Sequence, residues 1–177
     1  MYLRMADPRY PVGAFAPIPR ALTDREREDR IATIEGHAGR VRAAVSGLDD
    51  AALDAPYRSG GWTLRQLVHH LADSHANASI RFRLALTEDR PTIRPYDQEA
   101  WAELEDGRRA PVASSLRLLE GLHERWTMLL RSMSEKEFAR LLHHPDIGEI
   151  SLDFMLQLYA WHCLHHEAHL ERGRAAT

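Results

Sequence analysis

The amino-acid sequence predicts an all-α protein: a four-helix bundle with an extended N-terminal arm and long connections. Four segments of about 20–26 residues carry apolar side chains at alternating steps of three and four, the spacing of one helix face. We find no convincing alternation of apolar and polar residues of the kind that marks a half-buried strand. A chain of 177 residues can bury one core without disulfides, so we expect a single domain over residues 23–177 behind an arm over residues 1–22.

The arm and the first helix are separated by a helix-capping signal. Residues 1–22 contain four prolines and no helical period. Thr23 and Glu26 then form a capping box, in which the threonine caps the helix and the glutamate reaches back to it. We therefore predict a first helix near residues 24–47 and a short helical turn at Asp50–Leu53.

The second long helix begins with a second capping box. A glycine pair breaks the chain just before Thr63, and Gln66 follows three residues later. The apolar face that follows predicts a helix near residues 63–88. A proline-containing crossover comes next, in which Asp97 is placed to cap a short helix that extends through Trp101.

The last two long helices are predicted by a proline and a serine. Pro111 suits the first position of a third helix. A short helical piece is predicted over Ser134–Leu142, and the letters HHPDIGE that follow predict a turn. Ser151 then caps a fourth helix near residues 152–172, which we expect to stop at the next glycine.

Composition excludes several classes of protein. The formal net charge is −3 and no basic stripe is present, so we expect no nucleic-acid partner. The single cysteine, Cys163, excludes an intramolecular disulfide and suits a reducing compartment. No apolar run approaches the roughly 20 residues of a membrane span, and the N-terminus does not read as a signal peptide. We expect a cytoplasmic protein without a membrane partner.

Four histidines lie close together in the fourth predicted helix, at His162, His165, His166 and His169. A helix turns about 100° per residue, so residues four apart lie on one face and two such histidines can chelate one ion. Two pairs satisfy this spacing. The apolar residues of the helix place His162 and His166 nearer to the core than His165 and His169, so we favour the first pair.

A third ligand must come from another helix, because a catalytic zinc site usually has three protein ligands and one open position. The letters LVHHLADSH in the second helix supply three candidates. His69 points away from the apolar face and is expected to be solvated. His75 lies within that face, where a buried histidine hydrogen-bonded to a neighbour is the commoner explanation. His70 lies at the edge of the face. Spacing alone leaves open whether a metal binds, and it ranks His70 before His75.

The chain also resembles a known family, the DinB/YfiT-like metal-dependent hydrolases, and the YfiT branch in particular. The motifs GGWTLRQLVHHLADSH and WHxxHHxxH are specific when they occur together. The resemblance covers nearly the whole chain. The matching segments are YPVGAF (Tyr10–Phe15), Pro56–Asp89, IRPYDQEAW (Ile93–Trp101), HERWTMLL (His123–Leu130), HPDIGEI (His144–Ile150) and YAWHCLHHEAH (Tyr159–His169).

The resemblance implies a four-helix bundle that holds a divalent metal ion with three histidines. Carried over by motif position, the ligands are His70, His162 and His166, the trio that helix geometry also ranks first. The resemblance further implies a small-molecule substrate and a homodimer. The extended arm and the tryptophans expected at the surface point to a dimer as well, because both need a surface to pack against.

Other polar and aromatic residues near the motifs have weaker assignments. Asp73 could orient a histidine ligand, as neighbouring carboxylates often do, or it could be a surface aspartate. Glu167 points about 100° away from its neighbouring ligand and receives no role. For Arg94, Tyr96 and Asp97 in the crossover, packing of the loop is favoured over contact with substrate. The four tryptophans are expected to pack in the core or at an interface: Trp62, Trp101, Trp126 and Trp161.

Three functions follow from such a site. Three neutral imidazoles leave the ion its full charge and an open position, so a bound water is acidified and the protein would be a hydrolase. The same position could bind a low-molecular-weight thiol such as bacillithiol, which would give an S-transferase. A non-catalytic metal-binding stress-response protein is the third function. Zinc is the first expectation for the ion, and nickel, iron and cobalt also suit three histidines.

Overall fold

The computed structural model describes residues 7–177, which fold as four long helices joined by short helices and one hairpin. The predicted fold class is confirmed. None of the helices in this part of the chain combines the length and the apolar character that a membrane span requires. In chain order, the elements are α1 (Asp24–Val45), α2 (Asp50–Leu53), α3 (Leu64–Thr87), α4 (Gln98–Ala102), α5 (Glu105–Arg109), α6 (Val112–Ser132), α7 (Glu135–Phe138), β1 (Leu141–His144), β2 (Gly148–Ser151) and α8 (Leu152–Arg174).

Both predicted capping boxes are formed. The backbone N–H of Glu26 donates to the Thr23 hydroxyl at 3.3 Å, and the Thr23 N–H donates to the Glu26 carboxylate at 2.8 Å. Thr63 and Gln66 make the same two reciprocal contacts at the start of α3. Because the caps fix where α1 and α3 begin, the helical faces match the predicted ones closely.

The four long helices form a ring in which α1 and α3 each pack against both α6 and α8. Their apolar side chains form two buried clusters, one at each end of the bundle. Along all four helices, histidines occupy the positions between these clusters. The buried histidines at this level are His37, His75, His123 and His166, and His162 lies beside them with its side chain half-buried.

The turn predicted in HHPDIGE is present at residues 145–147, but it joins two short antiparallel strands, β1 and β2, that the sequence did not predict. Leu142 pairs with Ile150, and both side chains are buried against the bundle. Gly148 starts β2 with φ of +82°, a conformation that glycine adopts without strain. The piece predicted over Ser134–Leu142 is helical only in α7 and then becomes β1, so that prediction was wrong in its second half.

The described part of the arm contains neither helix nor strand and lies along α8. The backbone N–H of Ile18 donates to the Gln157 side chain at 2.8 Å, and the Trp161 indole N–H donates to the Gly13 carbonyl at 3.1 Å. The first six residues of the predicted arm lie outside the described residues. The arm thus reaches the helix that carries four of the candidate histidines.

The tryptophans differ in burial, and the residues of the crossover pack as the sequence predicts. Trp126 is fully buried in the core, whereas Trp101 is 40% exposed and packs against Tyr96. Asp97 caps α4 as predicted, because its carboxylate accepts the Ala100 N–H at 3.0 Å. These contacts agree with a packing role for the crossover.

Candidate metal centre

The structure brings together the three histidines that the sequence ranks first. His70 lies on α3, and His162 and His166 lie one turn apart on α8. Each ring offers one nitrogen, and the three nitrogens lie within 4.8 Å of one another. The Nε2 atoms of His70 and His162 are 3.3 Å apart. The arrangement is therefore a compact group of nitrogen donors from two helices.

This spacing suits a tetrahedral ion. Two nitrogens that each bind zinc at about 2.0–2.1 Å in tetrahedral geometry lie about 3.3–3.4 Å apart. The observed separation between His70 Nε2 and His162 Nε2 is the same. The residues present therefore fit a divalent ion bound by nitrogen.

Close packing of α3 against α8 makes this approach feasible. Gly173 lies in the last turn of α8, where a Cβ atom would overlap the side chain of Leu64 at the start of α3. The sequence predicted that this glycine ends the helix, and that was wrong, because α8 continues through it to Arg174. Its function in the fold is to let the two helices approach each other.

Burial keeps the trio in the neutral form. It lowers the pKa of His70 to about 4, and it holds the pKa values of His162 and His166 well below their ordinary value. The charges of neighbouring histidines act in the same direction. Only a neutral imidazole has a lone pair for a metal, so the three rings are ready to bind one at neutral pH.

A cavity of about 340 Å³ opens onto the trio. The arm contributes Arg9 and Tyr10 to its wall, and the segment before α3 contributes Arg58 and Trp62. Glu99 is the carboxylate in the wall, and it accepts a hydrogen bond from the Trp62 indole at 2.9 Å. The cavity therefore offers a small molecule two guanidinium groups, aromatic surface and one carboxylate beside the histidines.

A second group of histidines on α8 shares His166 with the trio. Ring nitrogens of His165, His166 and His169 also lie within 4.8 Å of one another. However, His169 Nε2 lies 3.2 Å from the Pro8 carbonyl oxygen, and the His165 ring stacks on Trp161 with centroids 4.4 Å apart. His169 thus contacts the arm at Pro8, and His165 lies near the arm residue Tyr10 with ring centroids 6.1 Å apart, while His162 and His166 face His70.

Comparison with known proteins gives the family. The model of the DinB superfamily matches residues 33–170. The chain belongs to the DinB superfamily. It is 49% identical to "Putative metal-dependent hydrolase YfiT" of Bacillus subtilis over 163 residues, which cover 91% of this chain and 90% of that protein. It is 48% identical over 166 residues to a protein of Bacillus cereus strain AH820 that is also named a putative metal-dependent hydrolase, covering 94% and 95% of the two chains.

A solved structure agrees with this assignment. The chain superimposes on YfiT from Bacillus subtilis, described as a probable metal-dependent hydrolase with an unusual four-helix bundle topology, with a TM-score of 0.92. The two share 45% sequence identity, and the match covers 96% of this chain and 97% of that one. The likeness therefore extends over the whole bundle of this DinB-superfamily member.

His75, the rival candidate for the third ligand, is a neighbour of the trio. Its ring is fully buried, and both of its nitrogens have partners. Nε2 lies 3.2 Å from His162 Nδ1, and Nδ1 lies 2.7 Å from His123 Nε2. The sequence reasoning missed His123, although the residue falls on the apolar face of its helix between Leu119 and Trp126.

Two other residues near His70 differ from expectation. His69 was predicted to be solvated but is buried, with its Nδ1 at 2.7 Å from the Ser115 hydroxyl and its Nε2 at 3.0 Å from the Ala110 carbonyl. The reason is that α5 and the start of α6 cover this face of α3. The Asp73 carboxylate makes no hydrogen bond to a histidine within residues 7–177, and it lines a separate cavity together with His69. Of the two roles that the sequence left open for Asp73, orientation of a histidine ligand therefore has no contact to support it in the described part of the chain.

Glu167, to which the sequence assigned no role, joins α8 to α1. Its carboxylate lies 2.5 Å from His37 Nδ1 and accepts from Arg40 Nε at 2.8 Å. Although burial raises the pKa of Glu167, the hydrogen bonds from these two partners hold it below its usual range. Beside them, burial raises the pKa of the Cys163 thiol well above its ordinary value, so Cys163 is a neutral core residue.

Proposed function

We propose that this chain is a metal-dependent hydrolase whose divalent ion is bound by His70, His162 and His166. The observation that carries the proposal is the 3.3 Å separation of two Nε2 atoms from different helices beneath an open cavity. The names of the Bacillus relatives support the same activity. Three protein ligands leave a coordination position free, which is typical of a catalytic rather than a structural site.

In this proposal the three histidines bind the ion, and the residues of the cavity wall contact the substrate. When bound, a divalent ion of this kind lowers the pKa of a coordinated water towards about 7 and polarises a substrate oxygen. The Trp62 ring, 4.7 Å from the His70 ring, covers one side of the ligand. Arg58 gives the cavity positive charge that would attract an anionic substrate group, whereas the charge of Arg9 is paired with the Asp7 carboxylate at 2.8 Å. Glu99 adds a carboxylate to the cavity wall, where it accepts the Trp62 indole N–H at 2.9 Å.

The nature of the ion is a separate part of the proposal. Three imidazoles suit zinc, nickel, iron and cobalt, and zinc is the first expectation. Elemental analysis of protein purified without added metal identifies the ion and measures how many are bound per chain. The expected result is one ion per chain.

A comparison of turnover with and without thiol tests the reaction. Protein stripped with a chelator and reloaded with zinc is given ester and amide substrates, alone and with a low-molecular-weight thiol. Turnover in water alone is expected for the hydrolase. Turnover that requires the thiol would identify the S-transferase instead, and a bound ion without turnover of any substrate would favour the non-catalytic protein.

Two variants provide the controls for this assay. His70→Ala removes a proposed ligand and should abolish turnover. His143→Ala removes an exposed histidine on the hairpin and should leave turnover unchanged. Equal activity of both variants would refute the proposed site.

We also propose a homodimer, as the resemblance implies. Sedimentation at micromolar concentration should give twice the 20.2 kDa mass of the chain. A stable mass near that of one chain would rule the dimer out.

A further inference from the structure

A chain of imidazoles leads from His162 into the bundle and ends on a backbone carbonyl. His162 Nδ1 lies 3.2 Å from His75 Nε2, and His75 Nδ1 lies 2.7 Å from His123 Nε2. His123 Nδ1 lies 2.8 Å from the carbonyl oxygen of Ile34. All three contacts lie in the buried layer of histidines between the two apolar clusters.

The carbonyl fixes the direction of every hydrogen bond in this chain. A carbonyl oxygen only accepts, and a neutral imidazole has one N–H and one lone pair, so His123 donates from Nδ1 to Ile34. Nε2 of His123 must then accept from Nδ1 of His75, and Nε2 of His75 must accept from Nδ1 of His162. The lone pair of His162 is left on Nε2, the nitrogen that faces His70 Nε2.

A second and shorter chain acts on His166. His166 Nδ1 lies 3.4 Å from His169 Nδ1, and His169 Nε2 lies 3.2 Å from the carbonyl oxygen of Pro8 in the arm. The same argument applies, because His169 must donate from Nε2 to the carbonyl and accept at Nδ1. His166 therefore has its proton on Nδ1 and its lone pair on Nε2.

We propose that His75, His123 and His169 are positioning residues that place the protons of His162 and His166 on Nδ1 and so present both Nε2 atoms to the metal. Carboxylates, carbonyls and waters usually orient such ligands. Here, other histidines act between the ligands and two carbonyls. This proposal rests on the metal ligands of the proposed function, and it assigns the N-terminal arm a part in the site through Pro8.

Nuclear magnetic resonance of the metal-free protein tests the proton positions directly. Chemical shifts and couplings of ¹⁵N-labelled histidine, recorded near pH 8 where neutral rings dominate, distinguish the Nδ1–H from the Nε2–H form. We expect Nδ1–H for His162, His166, His75 and His123, and Nε2–H for His169. An Nε2–H form of His162 or His166 would overturn the proposal.

Paired substitutions test the consequence for metal binding. A glutamine at position 75 can accept from His162 with its oxygen and donate to His123 with its nitrogen, whereas a leucine of similar size can do neither. We expect His75→Leu to weaken zinc binding by about 10–100-fold, the usual cost of losing an orienting contact, and His75→Gln to retain most of the affinity. His169→Leu and His169→Gln form the matching pair for the second chain.

Competition with a chelator measures these affinities in the full-length variants, with His143→Leu as the surface control. Equal affinity of the leucine and glutamine variants, with both folded, would overturn the proposal. If a leucine variant fails to fold, the proton positions in the unsubstituted protein still decide. A protein with the expected proton forms that catalyses nothing would count against the proposed function only, so the two failures are distinguishable.

Discussion

Two groups of three histidines share His166, and they differ in what their nitrogens contact. In the first, His70 comes from α3 and faces His162 across a 3.3 Å gap between Nε2 atoms. In the second, all three histidines come from α8, and His169 is engaged by the Pro8 carbonyl. In both groups the three ring nitrogens lie within 4.8 Å of one another. Distance alone therefore does not distinguish a binding site from a helix rich in histidine.

The difference lies in the partners that other elements supply. Both groups line the cavity, but only the first receives a donor from a facing helix, His70 on α3. Members of the second group contact the arm, and His165 stacks on Trp161. We infer that the first group binds the ion and that His169 orients the shared ligand His166.

The largest expected effect is that of His70→Ala on metal binding. This change removes one of the two ligands that only the first group has, so affinity should fall by more than the roughly 100-fold cost of losing an orienting contact. The apolar clusters at both ends of the bundle are untouched, and the helical circular dichroism should stay the same. Metal analysis beside circular dichroism measures both properties. Loss of helix together with metal would show that the ion is structural.

Asp153→Ala should destabilise the bundle through a contact that involves neither group of histidines. Asp153 at the start of α8 accepts two hydrogen bonds of 2.9 Å from the buried guanidinium of Arg27. Removing one partner of a buried ion pair costs about 3–5 kcal/mol. Glu120→Ala, which breaks an exposed pair with Arg42, should cost about 0–1 kcal/mol. Denaturant unfolding compares the two, and equal losses would contradict the structure.

Acid should destabilise the layer of histidines behind the first group. Burial, with the charges of His37 and Arg40, lowers the pKa of His123 to about 3, although Glu167 and the Ile34 carbonyl oppose this. Burial likewise lowers the pKa of His37, which stacks on His75. A histidine whose pKa is lower in the folded state binds fewer protons when folded. Its contribution is complete above about pH 6.5 and declines below that value.

Each such histidine should make the free energy of unfolding fall by up to about 1.4 kcal/mol per pH unit below pH 6.5. Denaturant unfolding of chelator-treated protein near pH 7.5 and pH 5 measures the change. His123→Leu should reduce the pH dependence. Equal stability of the unsubstituted protein at both pH values would contradict the buried neutral layer.

The smallest effect is expected for His165→Ala, which alters the second group alone. Metal stoichiometry should be unchanged, and the lost stacking with Trp161 should cost about 1 kcal/mol of stability. His166→Ala is the matched change, because it removes the shared ligand and should abolish binding. If His165→Ala also lost the ion, the second group would be the site.

Local signals explain why the helices could be predicted from the sequence. The capping boxes at Thr23 and Thr63 and the caps at Asp97 and Ser151 are formed where the sequence places them. The hairpin could not be predicted in this way, because its stability comes from burying Leu142 and Ile150 against the bundle. Strand pairing depends on such tertiary context more than a helix does.

The candidate site was predictable where helix spacing and family motifs agree, at His70, His162 and His166. It was not predictable where the partner lies far away in the chain. Glu167 contacts His37 across 130 residues, and His75 contacts His123 across 48. Helix periodicity places a side chain on a face, but only packing shows which residue covers it.

The most direct test of the account is a crystal structure of the metal-loaded protein with anomalous scattering from the ion. We predict one anomalous peak per chain, about 2.0–2.1 Å from the Nε2 atoms of His70, His162 and His166, with His165 and His169 outside the coordination sphere. A peak bound by His165 and His169, or one coordinated by His75, would contradict it.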